Sequence, residues 1–368
     1  MTIPTKRVPL YNQIRTYITD QIARGELLPG ARLPSENELA EHFGVSRITV
    51  KGALSTLVKE GTVYRIQGKG SYIAEQAQGG EPIRYQTPEK RKLKLISLLI
   101  PSLKTAYMVN LLRGVERAAA SKGYRVMVSL THESVETECK LLAEGDEFGV
   151  SGVIVYPVEG ESYNEDILRL TLRGYPIVVI DRYLKGLETN CVCTDHFSGA
   201  YDATTHLIEA GHSRIAFLTA PYAGTTSMED RLEGYRCALA DHGIFGDPRL
   251  VFTRTEPEHI ERYLRENPDV TAVFALNSSL GLKVFAVAER LRLSIPDRLS
   301  VIFFDDYEYS SKWALRPTCI LQQEEEIGAQ AGKLMLSLVG NPDQERKKIV
   351  LPPRLVIGGT TAAPSERA

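Results

Sequence analysis

Cysteine is scarce in this chain, tryptophan occurs once, and no apolar run is long. The five cysteines (Cys139, Cys191, Cys193, Cys237, Cys319) are an odd number without a C-x-x-C pair. That argues against a disulfide framework and a zinc ribbon, and leaves small, mostly buried side chains. The longest apolar stretches, such as Leu95 to Pro101 and Tyr175 to Ile180, fall far short of a bilayer span. The start, MTIPTKRVPLYNQIR, has charges but no apolar h-region, so it does not read as a secretory signal and a cytoplasmic protein is expected. Catalytic signatures are missing too: there is no G-x-S-x-G, P-loop or H-E-x-x-H, and Gly68-Lys69-Gly70 lacks the third glycine of a dinucleotide fingerprint. His132, His196, His206, His212, His242 and His259 show no metal spacing and read as surface or core hydrogen-bonding groups. Asp305, Asp306 and Glu308 could be pictured as acid and base carboxylates, but no motif stands behind them. Neither catalysis, a metal nor a cofactor is expected.

What is present is an ordinary soluble composition with an uneven charge. The 368 residues, 43% hydrophobic and 24% charged, suffice for two or three domains. The net charge is -2, yet residues 1–94 carry 15 Lys and Arg against 9 Asp and Glu, and the remainder is acidic. A basic segment on an acidic body is the electrostatic footprint of a nucleic-acid-binding head.

That segment contains LPSENELAEHFGVSRITVKGALSTLVKEGTVYRIQGKGSYI, from Leu33 to Ile73. Ser35 and Glu38 are spaced as a capping box that starts a helix, Leu39 and Phe43 share its inner side, and Gly44 ends it. Ser46 caps a second helix with Val50, Leu54, Leu57 and Val58 inward and Arg47, Thr49 and Lys51 outward. This is helix-turn-helix spacing, which sets the start of the second helix in the DNA major groove. Beyond Gly61, two β-rich runs flank Gln67-Gly68-Lys69-Gly70 and read as a wing with a basic tip. Upstream, Pro9 to Gly25 is an amphipathic helix with Leu10, Ile14, Tyr17, Ile18 and Ile22 near helical spacing.

The pattern LPSENELAEHFGVSR-x-TV-x-x-AL-x-x-L-x-x-EG with a QGKGSY wing resembles the winged helix-turn-helix of the GntR family of bacterial transcription regulators. The resemblance covers the first fifth of the chain. It implies double-stranded operator DNA as a partner, with contacts at Arg47, Thr49, Lys51, Gln67 and Gly68, flanked by the capping Ser46 and the wing-tip Lys69. The resemblance also implies that the loop before the motif brings Arg32 close to the phosphate backbone. Ile48 and Gly52 stand where the family often has polar or charged residues.

Residues 77–92 carry glycine and proline among polar residues without an apolar period and read as a linker, dividing a head (1–76) from a body (93–368). In the body, strand-like and helical runs alternate. Strands are expected at Leu95 to Ile100, Tyr124 to Leu130, Gly152 to Tyr156, Pro176 to Ile180 and Cys191 to Thr194, with helices between the first four. A second set follows from Gly199, ending at a strand over Leu299 to Phe303. The fold class is α/β: a winged helix-turn-helix plus two doubly wound lobes, one after the other, with a cleft between them. The loops after Ile100, Tyr156, Ile180, Thr219, Leu276 and Phe304 should face that cleft.

The runs LISLLIPSLKTAYMVNLLRGVERAAASKGY, VVIDR, DHFSGAYDATTHLIEAGHSRIAFLTAP, SMEDRLEGYRCALADHGI, FFDDYEYS and RPTCILQQ resemble the effector domain of the LacI/GalR family, itself built like periplasmic sugar-binding proteins. That resemblance implies effector contacts from Arg231, Asn277, Asp305 and Gln322, with Lys104, Tyr107, Asp181 and Arg182 as candidates in the first lobe. Two departures are Ser278 for the usual Asp and Thr105-Ala106 for Asn-Pro. The chemistry is consistent on its own terms, because a sugar is a ring of hydroxyls with apolar faces. Its pocket needs bidentate Arg, Asp and Asn groups and an aromatic to lie against a face. A GntR-type head on a LacI-type body is the arrangement of arabinose-responsive repressors of Gram-positive bacteria. The resemblance implies a homodimer on operator DNA, released by a monosaccharide, L-arabinose first. The alternatives are a regulator of another pentose, hexose or non-sugar molecule, and a sugar-binding transport component.

Overall fold

The computed structural model describes residues 9–66, 68–74, 93–158, 160, 164–221, 223–305 and 316–365. Two compact units divide the chain, Met1–Lys92 and Leu93–Ala368. The linker expected over residues 77–92, Gln67, and the carboxylates Asp306 and Glu308 lie outside the described residues.

In the first unit α1 (Leu10–Ala23), α2 (Glu36–Phe43) and α3 (Arg47–Lys59) precede β1 (Val63–Ile66) and β2 (Gly70–Ile73). Each end of α2 is fixed locally. The Ser35 side chain accepts from the Glu38 amide, the Glu38 carboxylate accepts from the Ser35 amide at 2.7 Å, and Gly44 closes the helix at φ 62°. Ser46 caps α3 through the Thr49 amide. Ile14, Ile18, Leu39, Val50, Leu54 and Leu57 then form one core with Val63 and Ile73 of the antiparallel hairpin. Two expectations are corrected. Val58 is 37% exposed because, one residue past Leu57, it is rotated off the inner face, and Leu10 is 51% exposed at the very start of α1.

The second unit holds two six-stranded sheets. The first, ordered β13-β7-β6-β5-β3-β4, contains β3 (Leu95–Ile100), β4 (Arg125–Leu130), β5 (Val153–Val155), β6 (Ile177–Ile180), β7 (Cys191–Thr194) and β13 (Lys348–Leu351). The second, ordered β14-β12-β11-β10-β8-β9, contains β8 (Ile215–Leu218), β9 (Val251–Phe252), β10 (Ala272–Ala275), β11 (Ser300–Phe304), β12 (Thr318–Leu321) and β14 (Arg354–Val356). All pairings are parallel except β12 with β14. Helices cover both faces, so the strands are apolar on both sides: Ile96, Leu98 and Ile100 of β3 enter one core cluster and Leu99 another. The first lobe carries α4 (Ala106–Ala120), α5 (Val135–Glu147), α6 (Glu165–Leu172) and α11 (Glu324–Gly340). The second carries α7 (His196–Glu209), α8 (Thr226–Asp241), α9 (Pro257–Glu266) and α10 (Ser278–Leu291). No helix among the described residues is long and apolar enough to cross a membrane.

The strands and helices expected from Leu95 to Phe303 are all present, shifted at their ends by a few residues. Lobes that simply follow one another are not. The chain crosses from β7 into α7, back from β12 into α11, and again from β13 into β14. The crossings lie side by side: the Asp195 amide donates to the Leu351 carbonyl at 2.9 Å, Thr194 Oγ1 to Gln322 Oε1 at 2.6 Å, and Gln323 Nε2 to the Pro352 carbonyl at 2.8 Å.

Candidate functional sites: a helix-turn-helix surface and an interlobe cavity

On the first unit the outward residues of α3 are those the capping dictates. Arg47 and Lys51 are exposed, and Thr49 is half-buried with its Oγ1 3.0 Å from Ser46 Oγ. Gly68, at φ 76°, and Lys69 form the exposed hairpin turn. Arg32 pairs with Tyr72 at the strand edge, and its guanidinium lies so close to Gly70 that a Cβ there would come within 3.2 Å of Nε. A groove between α3, the start of α2 and the hairpin is lined by Arg32, Glu36, Arg47 and Arg65 among others. Arg65 was not anticipated. It donates to Glu36 Oε1 at 2.8 Å, and Arg47 Nη2 stands 4.0 Å from the other carboxylate oxygen. An anion entering this groove would meet three guanidiniums, only partly neutralised by one carboxylate.

In the second unit the strand ends of the two lobes meet around one polar cavity. Tyr107, Tyr156, Asp181 and Arg182 line it from the first lobe, and Ser227, Met228, Arg231, Leu276, Asn277 and Asp305 from the second, with Gln322 at a crossing. Asp181 and Asp305 follow β6 and β11, which hold equivalent places in the two sheets, and both have left-handed backbone, at φ 66° and 68°. Such backbone costs on the order of 1 kcal/mol in a non-glycine residue but is tolerated best by Asp and Asn.

Neutral groups hold much of this charge, and one ion pair joins Arg182 Nε to Asp181 Oδ2 at 3.7 Å. Tyr107 donates to Asp181 Oδ1 at 2.6 Å, and Gln322 Nε2 donates to Asp305 Oδ1 at 2.7 Å. Arg231 donates Nη1 to the Leu276 carbonyl at 2.7 Å and lies with Cζ 3.8 Å from the Phe304 ring centre. Arg182 donates to the Pro157 carbonyl at 2.7 Å and lies over Tyr156. Asn277 caps α10 through the Leu280 amide. Burial pushes the Asp181 carboxyl up, but the His196 ring, the two guanidiniums and the Tyr107 hydroxyl outweigh it and hold it below the usual carboxylate range. Burial dominates at Asp305 and raises it, against Arg231 and Gln322. Burial, then Arg231, lowers His196 to about 3. The neutral ring accepts from Arg231 through Nδ1 and donates through Nε2 to the Asp181 carbonyl at 3.3 Å. A molecule in the cavity meets acceptors, bidentate donors and two tyrosine rings at 84° to each other. That is the complement of a neutral polyhydroxylated ring.

Of the eight effector residues expected, seven line this cavity. Lys104 does not: it is exposed in the β3–α4 loop. His196 is the residue that sequence reasoning placed only as a core or surface histidine. Its signal was weak, because its partner Arg231 lies 35 residues away.

Beside the cavity, the chain after β6 docks on the start of α8. Thr226 Oγ1 accepts from the Tyr183 amide at 3.1 Å and donates to the Tyr183 carbonyl at 2.9 Å. Tyr183 donates its hydroxyl to Asp230 at 3.0 Å, and Lys185 pairs with Glu229. These contacts join the lobes outside the cavity.

Two family models match the chain: bacterial regulatory proteins of the gntR family over residues 10–73, and a periplasmic binding protein-like domain over residues 204–361. The chain is 31% identical to an arabinose metabolism transcriptional repressor of Halalkalibacterium halodurans, covering 97% of this chain and 98% of that protein. It is 29% identical to the arabinose metabolism transcriptional repressor of Geobacillus stearothermophilus, over 97% and 98% of the two. Among solved structures it is similar to a LacI family transcriptional regulator from Enterococcus faecium with bound ribose, at TM-score 0.63 and 25% identity, covering 73% of this chain and 99% of that one.

Proposed function

Because this chain belongs to the transcription repressors that join a gntR-family DNA-binding domain to a periplasmic binding protein-like, LacI-type domain, we propose that it is released from operator DNA by L-arabinose bound between its lobes. Two chains pair through their effector units and present two heads to a pseudo-palindromic operator. The heads contact DNA through Arg32, Ser46, Arg47, Thr49, Lys51, Gln67, Gly68 and Lys69. The sugar favours a closed arrangement of the lobes in which the heads no longer suit the two half-sites. A swing from mostly bound to mostly free needs about 5 kcal/mol of preference for that state, and operator must weaken sugar binding to the same extent.

One observation carries the reading: Asp181, Asp305, Arg231 and Arg182 converge on a cavity walled by Tyr107 and Tyr156. Two carboxylates offset two guanidiniums there, which suits an uncharged sugar better than a phosphorylated one. Arabinose is chosen because two full-length relatives carry it in their names. Ribose is the second reading, since the similar regulator from Enterococcus faecium holds it.

The test is thermal unfolding of the full chain against L-arabinose, ribose, xylose, galactose and glucose, with Arg231→Ala as control. A sugar at 100 times its Kd adds about 2.7 kcal/mol to the unit that binds it. A shift by L-arabinose alone, lost in Arg231→Ala, supports sugar and cavity together. A shift by ribose alone selects the second reading, and no shift by any sugar removes the class. Sedimentation velocity of the free chain reads the dimer.

A further inference from the structure

Two features of α3 have no use inside the folded head. Ile48, in the first turn, is 82% exposed, while the head's core is completed by Val50, Ala53, Leu54 and Leu57 on the opposite face. Gly52, one turn on, sits inside a helix, where glycine is the poorest ordinary residue. A Cβ built there would meet nothing within 4 Å, so no internal contact requires it. The other helix-interior glycines packed between helices behave differently: a Cβ at Gly114 or Gly328 would meet backbone at 2.0 Å.

Positions four apart are neighbours on a helix. Ile48 and Gly52 therefore form an uncharged strip alongside the exposed cations Arg47 and Lys51. The strip lies on the part of the helix that a helix-turn-helix directs at base edges. An exposed apolar side chain there has one complementary feature in the major groove, the C5-methyl group of thymine. A bare glycine permits close approach of the backbone to what it faces.

We propose that Ile48 reads a thymine methyl in the operator and that Gly52 leaves the next turn bare so that α3 seats deeply enough for the contact. This rests on the operator-binding reading above. It adds a preference that neither arginine nor lysine can supply, because hydrogen-bond donors do not sense the methyl group. Ile48 supplies shape and apolar contact, and Arg47 and Lys51 supply charge.

The experiment uses the full chain and a duplex it selects from a random library. Each thymine of that duplex is replaced in turn by deoxyuridine, which deletes the methyl and keeps the hydrogen-bonding edge. The expected result is a three- to tenfold loss of affinity, roughly one buried methyl's worth, at one thymine or its symmetry mate. Ile48→Ala should lose the same factor on the thymine duplex and be indifferent to deoxyuridine at that position. Gly52→Ala should raise the melting temperature of the head yet weaken operator binding. Indifference of the wild-type chain to deoxyuridine at every position overturns the methyl contact, and unchanged operator binding by Gly52→Ala overturns the close seating. A wild-type chain that enriches no duplex overturns the operator reading itself, and this inference with it.

Discussion

Arg231 donates Nε and Nη2 to Nδ1 of His196, at 3.3 and 3.2 Å, so a buried guanidinium leans on a neutral imidazole. The ring's other nitrogen lies against the Asp181 carbonyl, which ties the second-lobe arginine to the end of a first-lobe strand. His196→Leu keeps the volume and removes the acceptor. Hydrogen bonds to charged groups are worth about 1.5–3 kcal/mol. A ten- to hundredfold loss of effector affinity is expected by calorimetry, with His196→Gln losing less because its carbonyl can still accept. Equal affinities in all three proteins would mean that Leu276 and Phe304 alone position Arg231.

The same ring gives the effector unit a pH dependence of defined sign. His196 is lowered to about 3 by burial and by Arg231, whereas in an unfolded chain histidine titrates near 6.5. Between those values the unfolded chain takes a proton that the folded one refuses. The stability contributed is complete above about pH 6.5 and is lost as pH falls toward 3, at up to ~1.4 kcal/mol per unit. Burial lowers His206 and His212 in the same sense, while Asp305, raised by burial, works against them. The quantity to compare is therefore the slope of melting temperature on pH, from 6.5 to 4.5, in wild type and His196→Gln. The variant should be flatter, and parallel slopes would show that the buried ring takes up its proton without penalty.

Much of this was legible because its causes are local. Ser35 with Glu38, Gly44 and Ser46 set the helix-turn-helix within three or four residues, and each cap formed as its spacing dictated. Asp181 and Asp305 came from the resemblance to the LacI/GalR family, and the open-sheet rule agrees with it because both residues follow apolar strands. What escaped is set by distant partners. The 17-residue α11 follows a second-lobe strand yet packs on α4 of the first lobe, and β13 and β14 are short segments sent to different sheets. Nothing in the periodicity of residues 318–356 says which sheet each segment joins, because the choice is made by the crossings at Asp195, Gln323 and Pro352. Lys104 stays off the cavity for a related reason: it lies exposed in the loop before α4, and the cavity is met instead by Tyr107 in the first turn of that helix.

The seam between α4 and α11 predicts a glycine effect opposite to that of Gly52. A Cβ on Gly328 would meet the Leu111 carbonyl oxygen at 2.0 Å, and one on Gly114 the Glu325 carbonyl oxygen at 2.0 Å. Both obstacles are backbone, so the helices must part. Alanine favours a helix over glycine by about 1 kcal/mol, but overpacking costs about 1–3 kcal/mol or more. Gly328→Ala should therefore lower the denaturation midpoint of the effector unit at unchanged slope, and leave the head's own transition in place. A higher midpoint would mean that the seam yields freely.

The docking of Tyr183 on α8 predicts how firmly the lobes stay closed. Thr226→Val removes the hydroxyl that accepts from the Tyr183 amide and donates to its carbonyl, and Tyr183→Phe removes the bond to Asp230. None of these groups needs to touch the effector. Each of the three bonds contributes about 0.5–1.5 kcal/mol, so the paired variant shifts the balance between open and closed lobes by roughly 1.5–4.5 kcal/mol toward open. Effector affinity falls in proportion to the closed fraction, because the observed Kd scales inversely with the fraction already competent to bind. Small-angle scattering should thus report a more extended free chain and calorimetry weaker binding, and saturating effector should bring the scattering curve back to that of effector-bound wild type. Weakened binding with unchanged scattering would place Tyr183 in the ligand's own contacts. An unchanged pair of measurements would assign closure to the crossings at Asp195, Gln323 and Pro352 alone.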